Sequence, residues 1–202
     1  MDAPDLRLET ALNLLHLAAN MDLATRGAEA LRYVHAAETV LPDMPVELRI
    51  RAALLRARVA GAANQLDDAA KWADEAVNMA RRHRLSHRLG MALALRGEVE
   101  VRRHAYKAAL PLLEQGTALM RRAKAARTEE NVRALTSLGT TYLQLGRLDA
   151  ARRTYKRVEQ LAVRLGLDPL YGKALSGLGL VEWLRRRFDS AAKYLTEARD
   201  VF

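Results

Sequence analysis

Residues 135–162, LTSLGTTYLQLGRLDAARRTYKRVEQLA, decide the reading of this chain. Leu135, Leu138, Gly139 and Tyr142 recur at helical spacing before Gly146; Ala151, Tyr155, Val158 and Ala162 do so after it. Glycine stops the first helix because it enters a left-handed backbone without a Cβ clash. The two apolar faces then close on each other as an antiparallel helix hairpin.

Working outward, the small residues of this stretch recur. Ala18, Ala57, Gly97, Gly139 and Gly179 are separated by 39, 40, 42 and 40 residues. Twelve positions after each stands an alanine: Ala30, Ala69, Ala109, Ala151 and Ala191. Seven positions further come Ala37, Ala76, Gly116, Val158 and Ala198. A fixed period of 20–50 residues is the mark of a solenoid. Small residues let two helix backbones cross closely, so these positions predict the crossing points within each hairpin. Strand signals are nearly absent, and the abundant Ala, Leu and Arg favour helix. The expectation is an all-α chain, one solenoid over residues 1–202, with hairpins at about 5–42, 43–84, 86–125, 128–166 and 168–202.

The series Gly139, Tyr142, Gly146, Ala151, Tyr155, repeated in part by Gly179, Ala191 and Ala198, resembles the tetratricopeptide repeat. The resemblance runs over essentially the whole chain and implies a right-handed α-solenoid. The period exceeds the usual ~34 residues, as in the longer-helix variants of kinesin light chains and large bacterial regulators. Arg56 and Arg96 stand where a leucine is expected, and Glu100 and Glu182 where an aromatic is expected.

Local signals place the helix ends. Asp5, Thr25, Asp43 and Ser86 are candidate N-caps, and helix four is expected from Asp67. Asn64 suits a left-handed turn. Pro111 sits slightly late in helix six and predicts a mild bend. Gly166 followed by Asp168 and Pro169 forms the clearest boundary. At the C-terminal end, Trp183, Leu184 and Phe202 read as an apolar surface awaiting another helix, hence as a site of self-association or a continuation of the array.

Several function classes are excluded or disfavoured. Without cysteine there is no disulfide framework, thiolate nucleophile or zinc–thiolate site. No phosphate-cradling glycine loop occurs. His83 and His87 have the spacing of a helical metal pair, but Ser86 places a helix start between them. His16 and His35 are candidates to face each other across the first hairpin. Glu98 and Glu100 point different ways on one helix and do not form a catalytic pair. The reading is therefore a protein without enzymatic chemistry, cofactor or metal. Met1 to Asp5 lacks a signal-peptide start, and no apolar run reaches the ~20 residues that span a bilayer, so a cytoplasmic location is expected.

Charge is uneven. Residues 1–50 carry four Arg against eight acids; residues 81–127 carry twelve Lys and Arg against Glu98, Glu100 and Glu114. Such a field draws acidic partners. The basic pairs near helix ends read as caps of helix dipoles or as a phosphate-tracking stripe. Sequence-tolerant nucleic-acid binding also calls for stacking aromatics, which here sit mostly at core positions.

The resemblance implies that the first helix of each hairpin lines a concave groove. Carried onto this sequence, those positions include Leu12, Leu15, Arg51, Leu54, Leu55, Arg58, Met91, Glu98, Arg102, Arg133, Thr136, Thr140, Lys173 and Ser176. Leu15, Arg51, Leu54, Leu55, Arg58, Glu98, Arg102, Arg133, Thr140 and Lys173 are the candidate partner-binding residues. They describe a groove apolar at one end and basic beyond it, suited to an amphipathic or acidic peptide or helix. A lysine–asparagine clamp for a C-terminal carboxylate is not evident. The expected function is a protein-interaction module of a bacterial regulatory or scaffolding protein. The alternatives are a nucleic-acid-binding basic repeat domain or a self-association module.

Overall fold

The computed structural model describes residues 3–201. Among them are ten α-helices: α1 (Ala3–Ala19), α2 (Leu23–Val40), α3 (Val46–Ala62), α4 (Leu66–Arg82), α5 (Ser86–Arg102), α6 (Tyr106–Arg122), α7 (Glu129–Gln144), α8 (Leu148–Leu165), α9 (Asp168–Leu184) and α10 (Phe188–Val201). The described residues contain no strand. Each helix packs on the next. In addition α1 touches α3, α3 touches α5, α5 touches α7 and α7 touches α9, whereas no two even-numbered helices meet. Short turns make neighbours antiparallel, so the odd helices run parallel as an inner layer. Closer packing inside than outside curves the stack, which is an all-helical repeat solenoid with the odd helices on its concave side.

The periodic small residues are all buried, and the glycines among them explain how closely the helices cross. A Cβ on Gly116 of α6 would stand 2.8 Å from the Ala94 amide nitrogen and the Gly90 carbonyl oxygen of α5. Backbone meets backbone there, and no side chain can yield. Tyr155 of α8 is the corresponding wedge further along. A Cβ on Gly139 would lie 2.8 Å from its ring, and one on Gly177 would lie 2.4 Å from it. Two glycines from α7 and α9 thus form the socket for one aromatic ring, whose hydroxyl meets Thr140 Oγ1 at 3.0 Å.

From α3 onward the turns share one design. Asn64, Arg84, His104, Lys124, Gly146, Gly166 and Arg186 all take positive φ, from 55° to 72°. The residue after each donates its N–H to a carbonyl five positions back, as Gln65 does to Ala60 at 2.9 Å and Arg147 to Tyr142 at 2.8 Å. This is the Schellman closure of a helix C-terminus. In the three-residue turns the same residue then accepts from the next helix, as Gln65 does from Ala69. One residue closes one helix and opens the next through backbone groups alone.

That economy corrects several expected caps. Ser86 is the first residue of α5 and Leu85 its cap residue; α4 opens at Leu66 behind Gln65. Pro45, not Asp43, precedes α3. The first helix already includes Asp5 in its opening turn. At α2 the cap is Asp22, whose carboxylate accepts from the Ala24 amide and from the Thr25 hydroxyl, with a local break at Arg26. Thr128 does cap α7, accepting from the Asn131 amide. Pro111 lies inside α6, which runs on from Tyr106 to Arg122. His16 and His35 are both exposed.

All four positions that break the repeat pattern carry ion pairs; Arg56, Arg96 and Glu182 pair between hairpins, and Glu100 pairs within its own. Arg56 on α3 grips Glu38 on α2 through two hydrogen bonds of 2.6 and 2.7 Å and lies 5.0 Å from the Trp72 ring centroid. Arg96 on α5 reaches Asp74 on α4 at 3.0 Å. Glu100 is buried between Arg96 and Arg103. Glu182, 1% exposed, accepts from Arg152 at 2.7 Å. Two turn arginines brace the same joints: Arg103 with Asp67, and Arg185 with Asp149.

Candidate partner-binding groove

The concave face carries two adjoining depressions. The first, of about 250 Å³, has a floor of Leu54, Leu55, Met91, Ala94, Leu95 and Met120. Arg51, Arg58, Arg88 and Arg133 stand around it with His87, Glu98 and Glu130. The second, of about 500 Å³, shares Arg58, Leu95, Glu98 and Arg133 and continues past Arg102 to Lys173. The shared residues join them into one channel crossing α3, α5, α7 and α9.

Helical spacing on the inner layer accounts for this gathering. On α3, Arg51, Leu54, Leu55 and Arg58 fall at i, i+3, i+4 and i+7, one face of a helix. On α5, Arg88, Met91, Leu95, Glu98 and Arg102 continue the same stripe. Parallel packing of the odd helices sets the two stripes side by side.

The channel is electrostatically incomplete. Burial lowers the pKa of the Arg58 guanidinium, and nearby Arg133 acts in the same direction, against Glu129, Glu98 and Glu130. Burial and then Arg88 likewise lower Arg51, with Glu130 opposing. Arginine remains charged regardless. The shifts therefore record unrelieved repulsion and lost hydration, which an incoming anion would offset. Of the rim arginines, Arg133 has a carboxylate at 3.8 Å, Glu129. Neither Arg51 nor Arg58 forms an ion pair among the described residues. Burial and Arg88 also lower His87, keeping its imidazole neutral over a wider pH range.

Of the ten candidate residues, Arg51, Leu54, Leu55, Arg58, Glu98, Arg102, Arg133 and Lys173 line this channel. Leu15 does not: it is 0% exposed, in the core between α1, α2 and α3. Thr140 does not line it either, since its hydroxyl is occupied by Tyr155 and the Thr136 carbonyl. Arg102 also donates to the Gly61 carbonyl. The sequence reading missed Arg88, His87 and Met120. Arg88 and His87 precede Met91 by three and four positions, so the stripe that selected Met91 was the available signal. Met120 enters from α6, an outer helix, and no inner-helix pattern points to it.

At the far end of the stack, Trp183 and Phe188 are 54% and 59% exposed, with Leu180, Leu184 and Leu195 also exposed. Phe202 lies outside the described residues. Among those residues, no group of three His, Cys, Asp or Glu side chains could hold a metal ion. Among the described residues, no helix is long and apolar enough to cross a membrane.

An all-helical stack of antiparallel hairpins with a lined inner channel defines the class of helical-repeat interaction folds. Two family models, both described as tetratricopeptide repeat, match residues 95–162 and 130–202. The chain belongs to the tetratricopeptide repeat family. Similar solved structures include BtubC (BKLC) from P. vanneervenii, at 14% identity and a TM-score of 0.69, covering 100% of this chain and 91% of that one. The TPR-like repeats of a putative kinesin light chain from Podosopora anserina align at 16% identity and a TM-score of 0.64, covering 94% and 93%. Aspartyl phosphate phosphatase F from Bacillus subtilis aligns at 14% identity and a TM-score of 0.67, covering 96% of this chain and 60% of that one. These identities speak for the fold alone. A search of curated proteins returned no match.

Proposed function

We propose that the inner channel receives a segment of a protein partner, with an apolar side chain over the leucine–methionine floor and carboxylates against the arginine rim. The function is binding, without chemistry of its own. The observation that carries the reading is Arg58: a half-buried cation shared by both depressions, without an acid in contact, facing Arg133. A partner carboxylate there replaces lost hydration and relieves like-charge repulsion at once. The apolar floor adds area at about 25 cal/mol per Å². We read the chain as part of a bacterial regulatory or scaffolding protein acting in the cytoplasm.

The test is a photo-crosslinker at Met91 in the otherwise intact chain, incubated with native extract. Specific adducts are expected, and they should disappear when Arg51, Arg58 and Arg133 become Glu while helical circular dichroism persists. Adducts that survive the triple change would place the partner elsewhere. A second reading, association of copies through the α9–α10 end, is favoured by the exposed Trp183 and Phe188. Light scattering should then show oligomers that dissociate in Trp183→Lys; a monomer at all concentrations removes it.

A further inference from the structure

The turns divide between two edges of the solenoid. Because the odd helices are parallel, all turns between hairpins lie on one edge and all turns within hairpins on the other. The cations on the two edges differ in what they do. On the within-hairpin edge, Arg102, Arg103 and Arg185 are tied to carbonyls or carboxylates of the preceding hairpin. Its remaining cations are interleaved with Asp67, Asp68, Asp149 and Asp189, the opening acids of the even helices.

The between-hairpin edge is different. Arg81, Arg82 and Arg84 stand at the α4–α5 turn. Arg121, Arg122, Lys124 and Arg127 stand at the α6–α7 turn, and Arg164 at the end of α8. All eight are exposed, and among the described residues none forms an ion pair. The acids beside them are Glu129, Glu130 and Asp168, with Asp43 and Glu47 further along the edge at the α2–α3 turn; Glu129 already sits near Arg133, and Glu130 turns into the channel. Arg84 and Lys124 occupy left-handed backbone at φ 55° and 60°. Glycine or asparagine fits such positions with less strain.

We infer that this edge is a second interaction surface, separate from the channel, that binds the phosphate backbone of a nucleic-acid duplex without reading its sequence. Helices packed side by side lie about 8–10 Å apart, so three successive turns extend about 20 Å. That length spans roughly six base steps of about 3.4 Å along a strand. Charge without apolar or aromatic partners is the footprint of backbone contact. No Phe, Trp or Tyr occurs in residues 81–87, 121–128 or 163–168, so the edge lacks the stacking platforms that single strands require. The two dense clusters also lack exposed large apolar residues that would enter a bilayer; Val163 and Leu165 flank only Arg164.

The test uses the full chain and a short labelled DNA duplex of arbitrary sequence, followed by fluorescence anisotropy. Wild-type binding should weaken about a thousandfold or more between about 50 and 200 mM salt. The variant Arg81→Gln/Arg82→Gln/Arg121→Gln/Arg122→Gln should bind more weakly at low salt, and its loss over that range should be roughly a hundredfold smaller. A control of equal charge change on the other edge and its flank, Lys107→Gln/Arg147→Gln/Arg153→Gln/Arg186→Gln, should stay close to wild type. Equal effects of the two variants would reduce the observation to net charge and overturn the proposal. So would absence of binding at low salt, or binding to phosphatidylserine vesicles or polyglutamate that depends on this edge, without binding to the duplex.

Discussion

At the scale of single residues, the decisive contacts are those where a side chain has no room to exist. Gly116 faces α5 backbone at 2.8 Å. Gly116→Ala should therefore destabilise the chain by about 1–3 kcal/mol, the usual cost of overpacking, measured by urea denaturation. Gly61→Ala, whose Cβ would meet nothing closer than an Arg102 guanidinium nitrogen at 3.5 Å, should change little. Tyr142 offers a pH test. Its hydroxyl donates to Glu114 at 2.7 Å, and partial burial together with that carboxylate pushes its pKa up to about 12. The folded state thus holds this proton more tightly than the unfolded state, where a tyrosine titrates near 10. The resulting stability is fully present below pH 10 and is lost as pH rises from 10 towards 12. Tyr142→Phe should flatten that alkaline decline in thermal melts relative to wild type. An identical decline in both would assign it to other groups.

At the scale of elements, the recurring unit is a helix closed and reopened by one turn. Arg186 sits at φ 59° and is exposed. Arg186→Gly removes the left-handed strain but enlarges the freedom of the unfolded chain, and the net expected is a gain of roughly 0.5–1 kcal/mol. A loss on chemical denaturation would show that the turn relies on the side chain. The turn also shows where sequence reading stops. Gly146, Gly166 and Asn64 are legible because their chemistry suits positive φ. Arg84, His104, Lys124 and Arg186 are not, because the closing hydrogen bonds come from backbone and leave no trace in residue type. The same holds for helix starts at Gln65 and Leu85, where the preceding helix replaces a side-chain cap.

At the scale of the whole molecule, each hairpin contacts only its neighbours, so stability adds along the stack and falls at its ends. The last helix buries only Ala191 and Ala198, and α2 only Ala30, Val34 and Ala37. Hydrogen exchange should accordingly be slowest in α5 to α8 and fastest in α1, α2 and α10. Uniform protection from end to end would contradict a stack of neighbour-coupled units.

The sequence by itself determined the period, the helical class and the small residues at each crossing, because close packing leaves so little choice of side chain there. It also located the basic and apolar stripes of α3 and the later part of α5, since a helical face is readable from spacing. Tertiary structure alone decided which stripes meet. Leu15 belongs to the core and Thr140 to a tyrosine contact, because adjacent helices cover them. Met120, fully buried, comes to lie beneath the channel floor because α6 crosses α5 there. Tertiary structure likewise separated arginines held by the preceding hairpin from those left free on the opposite edge. That separation depends on partners 36 to 41 residues away, beyond anything local spacing encodes.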